Sequence, residues 1–547
     1  MVLSSFYGGI KGFFSRFVEF IVAHPVLFLV YFLVFFVGVI LRVLVGLQYG
    51  ALQFDEGSRC AGGVFVSRLL SGGLTDPAGY FASYRLCALG FWFYPFLYST
   101  LAGLSFSIFG FGEFAARLPS LIFSVLLIHA TICVARELTT DHKVALVSGF
   151  FVATSPLIVI VGSGAMVDVP IAALTTYSLL FWIKGIRSHG RNDFLMAGVL
   201  GGLAGLMKPT GVLVLILMVA FVVLWFLLAR ERLVFSKNFW IGLSAGFLVF
   251  SLWIFSAILT SFLVGGWVGE EAVKGVAYWF GAGGSFSEYV PPWFSPQWYT
   301  LEGWKYYIYE LIFMMGILPF VLAFVGVLAK LRKMRAAGAS LVLFVLIVYV
   351  LQTLASNKNP RYVLPCLPFL YVFAAVGLVY ACTRIAGEKP QGRFGVKAVR
   401  QVASVALIAA VLVGSFAGLF SAIESRYIPG MDFGSSLPYQ ESVQLVMKDG
   451  EGGLVMPDVQ TNLFSAPALT YYLASVDSSG RFGCIPPLSN PDEVLTYQWA
   501  GKSVRYVFVY DLGSNISEFV SLHAENFALL GKAQNTYGSI YVYKVNG

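Results

Sequence analysis

The chain has 547 residues, of which 58% are hydrophobic and only 12% charged, against roughly a quarter charged in an average soluble domain. With a mean hydropathy of +0.79, a water-soluble globular fold is excluded and a polytopic membrane protein is indicated. The formal net charge of +8 is read as basic cytoplasmic loops rather than as a surface for nucleic acid.

In chain order, apolar runs long enough to cross a bilayer lie near 22–47, 118–136, 144–161, 169–186, 194–207, 211–229, 239–263, 306–329, 340–356, 362–382 and 401–421. The first run is too long for a signal-peptide core and is expected to remain as the first transmembrane helix. The shortest run, 194–207, is rich in glycine. A further apolar stretch, 92–109, has an ambiguous status that charge resolves. With Lys11 and Arg16 in the cytoplasm and 92–109 lying along the membrane surface, the inner loops collect Arg136 and Lys143; Lys184, Arg187 and Arg191; Arg230, Arg232 and Lys237; Lys330 to Arg335; and Arg384 to Arg400. If 92–109 crossed, every later loop would change sides and the pattern would invert. The positive-inside rule thus favours about eleven spans, with a surface segment in the first outer loop, 48–117, and the C-terminus outside. A second outer loop, 264–305, is long and aromatic, and carries Glu270, Glu271, Glu288 and Glu302.

The composition changes near residue 424. Residues 424–547 hold short strand-like runs, "GGLVMP", "VRYVFVYD" and "GSIYVYKV", and a stretch with helical spacing, "NISEFVSLHAENFALLG". This predicts a membrane domain over 1–423 and a small extracytoplasmic α/β domain over 424–547.

Several polar residues fall at predicted outer helix ends. Asp55 and Glu56 open the first outer loop in "LQFDEGSR", with Arg59 one turn on. Asp168 follows the third span, Lys208 lies in "GLMKPTG" where Lys208-Pro209 breaks an apolar stretch, and Lys358 and Arg361 lie in "NKNPRYVLPCLP". Any one of them reads as a snorkelling helix-end charge. Together, carboxylates and bases on one face at the ends of different helices can form one polar cavity. No phosphate-binding loop or dinucleotide fingerprint is present. The outer loops lack histidine, so a zinc site there would have to rest on carboxylates, which leaves room for Mg or Mn.

Five blocks then carry a resemblance: "DE" after the first span, "YPFLYSTLAGLSFSIFGFGEFAARLPS", "GAMVDVPIAALTTYSLLFW", "LAGLMKPTG" and "NKNPRYVLPCLPFLYVFAA". Over roughly 50–380 the chain resembles the C-type (GT-C) membrane glycosyltransferases, of the protein-mannosyltransferase and aminoarabinose-transferase type. The resemblance implies an α-helical polytopic fold. It implies a polyprenyl- or dolichyl-phosphate sugar as donor, and a lipid, glycan or protein acceptor on the outer face. By analogy Asp55 is the base, Glu56 assists or orients, and Asp168 fills the second acidic position. Lys208, Lys358, Arg361 and Arg59 hold the lipid phosphate. One departure stands out. Many members carry Lys or His before the proline of the surface helix, whereas here the residues are Trp92-Phe93-Tyr94-Pro95; Arg85 is the candidate to supply the missing contact. The alternative function on composition alone is a transporter or lipid-sugar flippase. A non-catalytic envelope protein would leave the polar residues scattered.

Overall fold

A computed structural model describes residues 22–73, 94–229, 236–263, 266–279, 299–355, 358–386, 394–425, 427–428, 431–432, 436–461, 464–499 and 501–546. Among these, eight helices are long and apolar enough to cross a membrane, and ten spans result if each of two bent pairs counts as one. The chain is a multi-pass membrane protein. The expected run at 194–207 is a 17-residue helix, Arg191–Met207. Its glycines fit it tightly into the bundle: a Cβ on Gly198 or Gly202 would collide with the backbone of Gly242 or Gly246 in the Lys237–Leu263 helix. Small residues here let two backbones approach closely, the usual basis of helix association in lipid.

Two expected spans are broken. The run at 144–161 becomes His142–Thr154 followed by Pro156–Ser163, bent by 55°. Ser155 precedes a proline, which disfavours the helical region, and it adopts extended angles. The break frees carbonyls inside the bundle, and Arg42 of the Pro25–Gly46 helix takes them up. Its Nη1 donates to Ala153 O at 3.0 Å and to Gly38 O at 2.9 Å, and its Nη2 to Val152 O at 3.2 Å, while Nε contacts Ser124 Oγ. Arg42 is fully buried. The run at 306–329 is split at Gly316, a left-handed residue with φ of 80°. Leu301–Met315 meets Ile317–Lys330 at 108°, and the helical run continues through the basic cluster to Leu354.

The 92–109 stretch contains a helix of 13 residues, Leu97–Phe109. It packs on the Phe54–Arg68 helix through a small-residue seam, with Gly63 against Ala102 and Phe106, and Gly103 against Val66.

The last 110 or so residues form a mixed sheet. Gly453–Pro457 runs parallel to both Phe482–Cys484 and Lys502–Val509. The latter pairs antiparallel with Gly538–Val545, which pairs with Phe527–Asn535. The expected helix in "NISEFVSLHAENFALLG" ends at Leu522, and Phe527 onward is strand instead. The Thr536-Tyr537 turn closes a hairpin there, and cross-strand pairing overrides the local helical spacing. The Ala466–Val476 helix of this region lies directly on the Phe54 helix: a Cβ on Gly57 would sit 2.5 Å from Ala468 Cα. Tyr472 Oη accepts from Leu52 N–H at 3.0 Å and donates to Glu113 at 2.6 Å.

Candidate active site

The adjacent carboxylates Asp55 and Glu56 open the Phe54–Arg68 helix, where acidic side chains suit the helix dipole. They face different surroundings. Glu56 sits at the third helical position and reaches back to Gln53 N–H at 3.0 Å, as in a capping box. Its other oxygen accepts Ala165 N–H at 2.6 Å. With 1% exposure and Arg117 Nε 4.0 Å away, it ties the helix start to the loop that precedes Asp168.

Asp55 opens to the cleft side. Its Oδ2 lies 2.6 Å from Arg361 Nη2 and 3.9 Å from Arg59 Nη2, and its Oδ1 accepts Tyr94 O–H at 3.0 Å. Arg59, one turn along the same helix, also donates to the Asp55 carbonyl at 3.1 Å and lies 4.5 Å over the Tyr94 ring. Arg361 begins a 3₁₀ turn, Pro360–Cys366, whose first free N–H is capped by the Asn359 side chain at 3.1 Å. Met166 sulfur touches both guanidinium groups, at 3.5 Å from Arg361 and 3.9 Å from Arg59. The second ion pair lies alongside. Lys208 is an extended residue between the Arg191–Met207 helix and the Pro209–Val212 turn. Its ammonium is 3.6 Å from Asp168 and 4.7 Å over the Tyr362 ring.

Burial opposes ionisation of Asp55, but the positive charges of Arg361, Arg59 and Lys208 outweigh it and hold the carboxyl well below its usual range. Burial, followed by the Asp55 charge, keeps the Tyr94 phenol protonated and therefore a donor. The Nε atoms of Arg59 and Arg361 and the Oδ2 of Asp168 are buried and have no hydrogen-bond partner among the described residues. Two guanidinium donors left open in one place match an anionic oxygen ligand.

Residues 94–255 match the family model described as dolichyl-phosphate-mannose-protein mannosyltransferase, and residues 293–442 match that of the Alg9-like mannosyltransferase family. The fold is similar to ArnT from Cupriavidus metallidurans bound to undecaprenyl phosphate, with a TM-score of 0.61, 14% identity, and coverage of 94% of this chain and 97% of that one. The oligosaccharyltransferase of Archaeoglobus fulgidus in the apo form gives 0.57 at 13% identity, covering 89% and 70%. AglB from the same organism, in complex with an inhibitory peptide and a dolichol-phosphate, gives 0.56 at 12% identity, covering 94% and 74%. No curated protein sequence matches the chain at a significant level. The chain shares the fold of these membrane glycosyltransferases, and two mannosyltransferase family models match separate parts of it.

Of the site residues expected for this glycosyltransferase, the structure gathers Asp55, Arg59 and Arg361 in one cluster and sets the Asp168–Lys208 pair beside it. Lys358 directs its ammonium to the Ala355 carbonyl at 2.8 Å. Arg85 and Glu288 lie outside the described residues, Glu270 is exposed, and Glu302 pairs with Lys305 at 3.5 Å. Three contacts of the cluster escaped the sequence reading. Tyr94 was noted only as a departure from the Lys or His expected before Pro95. Met166 and Tyr362 gave no signal in their residue type. The described residues hold no cluster of three His, Cys, Asp or Glu, and each site carboxylate already faces a cation. A cleft of about 270 Å³, its open mouth included, adjoins the cluster through Tyr362; Thr175, Thr210, Val214, Phe344 and Val348 are among its walls.

Proposed function

We propose that this glycosyltransferase moves a sugar from a polyprenyl- or dolichyl-phosphate donor to a hydroxyl acceptor (on a lipid, glycan or protein) at the outer face of the membrane, with inversion. The observation that carries this reading is the Asp55–Arg361 contact at 2.6 Å, with Arg59 and Lys208 beside it. A carboxylate and three cations at helix ends form a base next to an anion site. In a single displacement the acceptor oxygen bonds to the anomeric carbon. Its proton passes to Asp55, and the sugar–phosphate C–O bond breaks with its electron pair going to phosphate. Arg361, Arg59 and Lys208 balance the charge gained by the leaving phosphate. Asp168 holds Lys208 in place, and Glu56 positions the start of the helix that carries Asp55. Lys358 and Arg85 are assigned to the outer margin of the phosphate site. The cleft under Tyr362, walled on one part by Val214, Phe344 and Val348, suits the first isoprene units of the donor. The distribution of Lys and Arg supports a cytoplasmic N-terminus and an extracytoplasmic site.

The test is transfer by the purified protein from synthetic polyprenyl-phosphate sugars, followed by mass spectrometry of donor and product. Asp55→Asn should lower transfer about 10²- to 10⁴-fold, the span for loss of a general base. Unchanged transfer by this variant would remove Asp55 from the mechanism.

A further inference from the structure

We infer that Tyr94 decides between acceptor and water: its phenol occupies Asp55 Oδ1 in the resting site, and the acceptor hydroxyl takes its place. The inference rests on the glycosyltransferase reading above and deepens it.

Both oxygens of the proposed base are engaged before any substrate arrives. Oδ2 faces Arg361 at 2.6 Å, and Oδ1 accepts Tyr94 O–H at 3.0 Å. The Asp55 side chain is 17% exposed, so an attacking hydroxyl has little freedom to approach from elsewhere. Among the described residues, the groups facing Asp55 are Arg59 on its own helix, Tyr94 just before the Leu97–Phe109 helix, and Arg361 and Lys208 from the bundle. Three of these are cations, which a bound phosphate engages. Only Tyr94 is neutral, and only it presents an O–H of the kind the acceptor presents.

The Tyr94 ring is clamped without using its hydroxyl. Arg59 stacks over it at 4.5 Å, and Pro95 follows in the chain. The phenol can therefore yield Oδ1 while the ring keeps its seat. A water molecule is small, makes few other contacts and competes poorly for a position already held by a fixed donor. An acceptor brings binding energy from the rest of its structure, and that energy drives the exchange. In the unwanted reaction, water oxygen bonds to the anomeric carbon, Asp55 takes the water proton, and the C–O bond to phosphate breaks toward phosphate. Tyr94 suppresses this step.

The experiment uses the full-length protein in nanodiscs with a polyprenyl-phosphate sugar. It measures free sugar released without acceptor, and product formed with acceptor. Tyr94→Phe keeps the ring and removes the hydroxyl. Donor hydrolysis should rise at least fivefold while transfer changes less than threefold, so the ratio of hydrolysis to transfer rises. Tyr94→Gln, which restores a neutral N–H donor, should bring the ratio back toward wild type. A parallel fall of both reactions in Tyr94→Phe would show that the phenol only positions Asp55, and would overturn the inference. So would an unchanged ratio. If Tyr94→Phe does not fold, the ratio in Tyr94→Gln decides: a ratio near wild type supports the inference and a large rise overturns it. If wild type neither transfers nor hydrolyses any such donor, the functional reading fails, an outcome distinct from these.

Discussion

Asp55 and Glu56 are neighbours in sequence with different work, and Glu56→Gln separates them. The wild-type carboxylate accepts two backbone N–H groups, from Gln53 at 3.0 Å and Ala165 at 2.6 Å, while almost fully buried. Glutamine keeps one accepting oxygen and turns an NH₂ toward the other N–H. One charge-assisted bond is lost, worth about 1.5–3 kcal/mol, and a buried donor is left unpaired at about 1–3 kcal/mol. The sum is roughly 2.5–6 kcal/mol, because the buried Ala165 amide is left without an acceptor. The chemistry is untouched, since Glu56 points away from the cluster. The assay pairs thermal unfolding in detergent with transfer rates across temperature. Glu56→Gln should melt several degrees lower, and its transfer loss should deepen on warming and shrink on cooling. Asp55→Asn should be inactive at every temperature, the coldest included, although it too melts lower because the Arg361 ion pair is lost. If Glu56→Gln keeps its melting temperature and is as inactive as Asp55→Asn when cold, Glu56 meets substrate and the assignment is wrong.

Gly57→Ala tests the seat of the C-terminal region. Its Cβ would lie 2.5 Å from Ala468 Cα and 2.6 Å from Ala468 N, backbone atoms that cannot rotate away. A cost of about 1–3 kcal/mol or more is expected, read as faster proteolysis between the membrane and C-terminal regions and a lower melting temperature. Arg361→Gln removes the nearest cation from Asp55 and leaves burial, so the carboxyl pKa rises. The acid limb of kcat/KM should therefore move to higher pH in the variant. In the wild type, the stability contributed by this ion pair is present above the unfolded carboxylate value near pH 4. It is lost only as pH falls through the lower folded value, so no loss from this pair is expected between pH 7 and 5. An unshifted limb would detach Asp55 from the profile. Val214→Trp fills the cleft beneath Tyr362; KM should rise for prenyl-phosphate donors, a two-isoprene donor included, and an unchanged KM for both would remove the cleft from the donor site.

The apolar runs made most spans legible, and loop charge alone put Asp55, Asp168, Lys208 and Arg361 on one side of the membrane. That arrangement depends on hydrophobic length and on the cost of burying charge, which single residues report. The breaks at Ser155 and Gly316 were less visible. Pro156 and Gly316 sit inside strongly apolar windows, where hydropathy hides backbone geometry. The role of Glu56 was also hidden, because its partners are backbone amides that no side-chain pattern announces. Tyr94 received no role for a physical reason: a tyrosine in a sequence looks the same whether its hydroxyl meets water or a carboxylate.

Arg42 bears on how the protein enters the bilayer. Arg42 lies four residues from the end of the Pro25–Gly46 helix, where insertion costs less than the about 2.5–3.5 kcal/mol of an arginine at a helix centre, and open carbonyls are also costly in lipid. The first helix carries the excess donors, and the kinked third span carries the excess acceptors at Val152 and Ala153. Neither segment is comfortable in hydrocarbon alone, and each removes the other's defect. The first helix therefore reaches its final place only after the third has arrived and bent, which makes biogenesis of the early bundle a joint event rather than a sequence of independent insertions.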